Sequence, residues 1–178
     1  MEMKYEDQNP LSAEYIRQMR AESDRGAVLI GAAYIDSALE ELLRAYFVDS
    51  KAEVARLLTY PGPCSTLSAR CDLAYCSGIF GKDMHADIRT VTKIRNRFAH
   101  SKHRATFGDK DVSQLCMNLN LVKGMNTEFS GSDPKAVFVM AAGAIILKLL
   151  TAQGTMSHRK PGPSLKVMAM TDPNFLGY

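Results

Sequence analysis

The densest run of functional side chains is Lys93-Ile94-Arg95-Asn96-Arg97-Phe98-Ala99-His100-Ser101-Lys102-His103-Arg104. These twelve positions hold five Lys or Arg residues and two histidines. Within the run, Arg95-Asn96-x-x-x-His100 offers a cation for a phosphate, an amide to orient it and an imidazole that titrates near neutral pH. RNA cleavage by the neighbouring 2′-hydroxyl needs those groups: a base to take the hydroxyl proton and a cation to meet charge developing on the phosphate. Lys93, Arg97, Lys102, His103 and Arg104 would then follow the nucleic-acid backbone and make binding strongly salt dependent. The structural alternative is a solvated basic helix face whose last residues balance the helix dipole.

Positioning these groups takes a helix from about Asp83 to Ser101. At about 100° per residue, Ile88, Val91, Ile94 and Phe98 form one buried stripe, while Arg89, Lys93, Asn96 and His100 share the opposite side. Arg95 flanks the apolar stripe and points about 140° away from His100. One helix therefore does not bring the two to a common point. A long reach by the arginine, fraying near Ser101 or a second copy of the chain is needed.

The flanking elements also read as helices. Leu11 to Phe47 is one long helix or two abutting ones, with Ser12 as the expected cap and Val28, Ile35, Leu39 and Leu42 at helical spacing. Gly26, Gly31, Ala32 and Ala33 are small enough to let another helix approach closely. Lys51 to Leu58 is short and stops at Pro61-Gly62-Pro63; Ser65 or Ser68 starts the next helix, which Gly78 closes. Asp109 caps a helix to Leu119, and Asp133, with Pro134 behind it, caps another to about Gln153. No stretch alternates like a strand. The expected fold is all-α: a single-domain bundle of about six helices over residues 1–155, followed by an irregular tail over 156–178.

Composition narrows the function classes. The chain has 178 residues, 46% hydrophobic and 23% charged, with a net charge of +3. That suits one globular domain and excludes a basic tail protein or an acidic disordered segment. The four cysteines form no CxxC pair, and the first residues, MEMKYEDQNP, hold no apolar segment, so reduced thiols in the cytoplasm are expected. The longest apolar run, Ala136 to Leu147, ends at Lys148 and falls short of the roughly 18–20 residues of a span, so it reads as a core helix and no membrane partner is expected. His100, His103 and Cys116 do not make a recognisable ligand set, so no metal is expected. Lys123 to Asp133 has neither phosphate-loop spacing nor a dinucleotide fingerprint, so no cofactor is expected. Asp36, hemmed in by apolar neighbours, and Arg70 read as structural polar residues, with Arg70 paired to Asp36 or to Asp72.

Two resemblances add to this. Arg95-Asn96-x-x-x-His100 near a helix end resembles the Arg-x4–6-His motif of the HEPN superfamily, small all-α proteins that include metal-independent ribonucleases with a site shared across a homodimer. A longer part of the chain is similar to the mannitol operon repressor family: Gly31 to Phe47, Pro63 to Phe80, Asp87 to His100 and Ala105 to Leu119, together about residues 25–120. The chain departs from that family's Pro-Leu-Ser-x-x-Ser-x-Arg pattern by carrying Cys64 at the leucine position. The longer resemblance implies a cytosolic bacterial regulator of the transcriptional-repressor type, acting through protein–protein contact as a helical dimer. It implies no DNA reading of its own, and with no helix-turn-helix signature, sequence-specific DNA binding is not expected. The shorter resemblance implies the alternative, a metal-independent endoribonuclease using Arg95, Asn96 and His100 at a dimer interface.

Overall fold

Ser23 divides the long N-terminal helical stretch in two. Its hydroxyl accepts the Gly26 amide at 3.1 Å, satisfying a first-turn donor, so α1 (Pro10–Ala21) stops and α2 (Asp24–Tyr46) begins. The computed structural model describes residues 10–100, 105–123 and 133–162. Among these there are eight helices and no strand. The remaining helices are α3 (Lys51–Leu58), α4 (Leu67–Cys76), α5 (Lys82–His100), α6 (Lys110–Met117), α7 (Asn120–Lys123) and α8 (Pro134–Thr155). The all-α reading holds. The count exceeds six because of the break at Ser23 and the single turn of α7.

Several caps differ from expectation. Ser12 lies inside α1, which starts at Pro10, a residue that loses nothing in a first turn because it has no amide proton to satisfy. Thr66, rather than Ser65 or Ser68, caps α4 by accepting the Ala69 amide at 3.3 Å. Asp109 stands at the cap position of α6, but its carboxylate turns back to the amide and hydroxyl of Thr106 (3.3 and 3.1 Å). Asp133 does cap α8, accepting the Lys135 amide at 3.1 Å. Gly78 closes α4 at φ +71°, where the Ile79 amide returns to the Ala74 carbonyl at 3.0 Å.

The core is built on α2 and α8. Along α2, Val28, Ile35, Leu39, Leu42 and Leu43 are buried against α1, α4, α5 and α8. α8 has the length and composition to cross a membrane, yet Val137, Phe138, Ala142, Ile145, Ile146 and Leu149 are buried in the bundle, as a core helix requires. It lies so close to α1 that a Cβ built on Gly143 would sit 2.5 Å from Ile16 Cγ1. The α5 stripe is buried as its spacing requires: Ile88, Val91, Ile94 and Phe98 all face inward. From Phe98 a run of aromatic contacts continues through Phe107 (5.4 Å) to Phe138 of α8 (5.5 Å). Beyond α8, residues 156–162 carry no helix but return to the end of α2. There the Phe47 carbonyl lies 2.8 Å from His158 Nδ1, and the Arg159 guanidinium covers the Tyr46 ring at 4.7 Å.

Candidate functional site

The buried stripe of α5 leaves its neighbouring positions at the edge of a cleft between α2, α4 and α5. The cleft, about 650 Å³, is lined by apolar groups from α2 (Leu29 and the small Ala32 and Ala33), by Leu67, and by the hydroxyl residues Ser65, Thr66, Ser68 and Thr92. Arg95 and Asn96 complete its rim, with the guanidinium donating to Asn96 Oδ1 at 3.1 Å. Arg95 and Asn96, grouped by their chemistry in the sequence, thus touch each other at the cleft. His100, the exposed last residue of α5, is not part of the lining. Within one chain the cleft unites Arg95 and Asn96 and leaves the imidazole outside.

Of the other basic residues, Lys93 is exposed, and Arg97 is turned to Asp111 of α6 at 2.9 Å. Lys102, His103 and Arg104 lie outside the described residues.

Beneath the cleft lies a charged network. Arg70 is only 6% exposed, and it donates to Asp36 (2.5 Å), to Glu40 (2.5 Å) and to the Leu58 carbonyl (2.9 Å). Glu40 also accepts from Arg44 at 2.6 Å, and Arg44 reaches the Thr59 hydroxyl at 2.9 Å. Two guanidiniums thus face two carboxylates, and a cation that would be costly alone is neutralised. Asp36 is the carboxylate of the cleft lining, and Arg70 occupies it. With Asp36 paired to Arg70, the lining offers hydroxyls, the Arg95–Asn96 pair and small apolar groups, which equip this surface to bind through hydrogen bonds and close contact.

Asp72, the other partner considered for Arg70, belongs to a separate cluster on the α4–α5 edge. It lies 2.7 Å from His85 Nε2 and 3.4 Å from Arg89, with the Tyr75 ring stacked on His85 at 4.5 Å. Sequence reading also missed Asp87, which is buried and accepts the Asn120 and Leu121 amides at 2.7 and 3.0 Å, starting α7. Cys71 and Cys116 are buried, and burial pushes both thiols up to about 12, which favours the protonated form at neutral pH. Cys116 is buried in the core and His100 is exposed at the end of α5.

The comparisons with known proteins agree with one another. The sequence model of a family described as Mannitol repressor matches residues 17–142. No curated protein matches the chain. Among solved structures, the chain is similar to one in the X-ray structure of the MtlR-HPr complex from Escherichia coli, with a TM-score of 0.65 and 16% identity, over 79% of this chain and 99% of that one. It is also similar to the crystal structure of a possible transcriptional regulator, YggD, from Shigella flexneri, with a TM-score of 0.63 and 18% identity, over 78% of this chain and 97% of that one. At such identities the structures establish a shared helical fold.

Proposed function

The chain belongs to the mannitol repressor family, and from that membership we propose that it is a cytoplasmic regulatory protein of the transcriptional-repressor type that acts by binding another protein, as a helical dimer. The partner in this reading is HPr or a protein like it. The observation that carries it is the extent of likeness: the fold of a chain solved with HPr is matched over 99% of that chain's length. Regulation by contact needs a surface and no reacting groups, and the α2–α4–α5 cleft is such a surface. Its exposed Ala33 and the Arg95–Asn96 rim offer close approach together with directional hydrogen bonding.

Calorimetric titration of HPr from the same organism tests the assignment of the cleft. Wild type is expected to bind, and Ala33→Arg, which fills the cleft from an exposed position, to bind about tenfold more weakly or worse with its helical content unchanged. Equal binding by both proteins would remove the cleft from the account.

The ribonuclease reading draws support from the Arg95–Asn96 hydrogen bond on the cleft wall. It requires the His100 of a second chain to reach the first chain's cleft, because the chain's own His100 lies outside the lining.

A further inference from the structure

Where α4 meets α5, three side chains of different metal-ligand type converge. The Sγ of Cys71, a carboxylate oxygen of Asp72 and a ring nitrogen of His85 all lie within 4.8 Å of one another. We propose that this junction binds a divalent transition-metal ion of the zinc class through Cys71, Asp72 and His85, a site separate from the α2–α4–α5 cleft.

The distances favour it. Zinc holds sulfur at about 2.3 Å and nitrogen or oxygen at about 2.0–2.1 Å, so tetrahedral ligand atoms stand roughly 3.3–3.7 Å apart. Reaching that from the present positions takes movements of about 1 Å, within the compass of side-chain torsions. The Asp72 side chain is 51% exposed and free to make its share of them.

Burial is graded in the right direction. Cys71 is fully buried, His85 is partly covered and Asp72 faces solvent, so an ion enters from the Asp72 side and keeps a water ligand there. Tyr75 stacked on the imidazole fixes the plane of the ring. A thiolate with an imidazole and one carboxylate selects zinc-like ions over calcium or magnesium, which take all-oxygen sets.

Three features oppose binding and set its strength. Arg89 holds a positive charge 3.4 Å from Asp72, and the Asp72–His85 hydrogen bond must open. The Cys71 thiol, protonated through burial, must also give up its proton; each bound ion therefore replaces S–H by S–metal and releases one proton to solvent.

Cobalt(II) reports the thiolate directly. The reduced full chain, stripped with a chelator and carrying Cys76→Ser to remove an exposed thiol, is titrated with Co2+ alone. The expected result is a near-ultraviolet thiolate-to-cobalt band saturating at one ion per chain and displaced by zinc. His85→Ala, a change at a partly exposed position, is expected to weaken binding by about tenfold or more, and Arg89→Ala to tighten it. Cys71→Ser, where it folds, loses the band. Absence of the band in the starting protein, or a midpoint unmoved by His85→Ala, overturns the proposal.

Discussion

Arg70 concentrates the energetics of the site in one side chain. Removing it leaves Asp36 and Glu40 facing each other without their shared cation, while the Leu58 carbonyl loses a donor. The two carboxylates keep partial access to water, which places the cost of Arg70→Ala toward the lower end of the range for broken buried pairs, about 3 kcal/mol. Urea unfolding should show that loss, and Arg70→Lys should recover little of it, because one ammonium cannot reproduce a fork aimed at two carboxylates. Sequence leaves Asp36 and Asp72 equally open as partners, but helix geometry separates them: positions 70 and 72 lie about 200° apart on α4, so their side chains diverge. Glu40, one turn from Asp36 on the same face, was readable as the second partner by the same rule. Asp87 was not readable, since its role is to start α7, a single turn with no periodicity of its own. His100 carries the prediction that separates the two functional readings. Wild type and His100→Ala are both expected to leave single-stranded RNA intact in EDTA; product with 2′,3′-cyclic phosphate ends from wild type alone would establish the ribonuclease.

At the scale of elements, helix periodicity made most of the bundle legible, and caps were the weak point. The α5 stripe followed from spacing because Ile88, Val91, Ile94 and Phe98 recur with no polar interruption. The Ser12, Ser65 and Ser68 caps failed because adjacent hydroxyl and proline residues offer competing starts: α1 begins at Pro10, and Thr66 supplies the α4 cap. A close contact between α1 and α8 was also hidden in the sequence, although its cause is one residue. Gly143 admits α1 to within a side chain's width of α8, with Ile16 packed over it. Gly→Ala within a helix ordinarily gains up to about 1 kcal/mol. At Gly143 the new methyl meets a stiff β-branched side chain at 2.5 Å, and overpacking of about 1–3 kcal/mol outweighs that gain. Gly154, on the same helix with open space around it, isolates the propensity effect. Thermal unfolding should therefore move in opposite directions, downward for Gly143→Ala and upward for Gly154→Ala.

For the molecule as a whole, the net charge of +3 is near balance, and Arg97 of α5 is paired with Asp111. The basic run that dominates the sequence is divided by the fold, part of it turned to Asp111 and part of it at the rim of the cleft. Proximity along the chain is visible in a sequence, whereas this division depends on where α6 lies against α5. The family, in contrast, was legible because its likeness spreads over several helices and their turns. Regulation through contact with another protein is inferred from that breadth. Its most direct test is titration of the purified full chain with HPr from the same organism, followed by heat and by co-elution on a sizing column. Saturable binding is expected, with a complex that elutes ahead of either component. A folded chain that gives neither heat nor co-elution with HPr would contradict it.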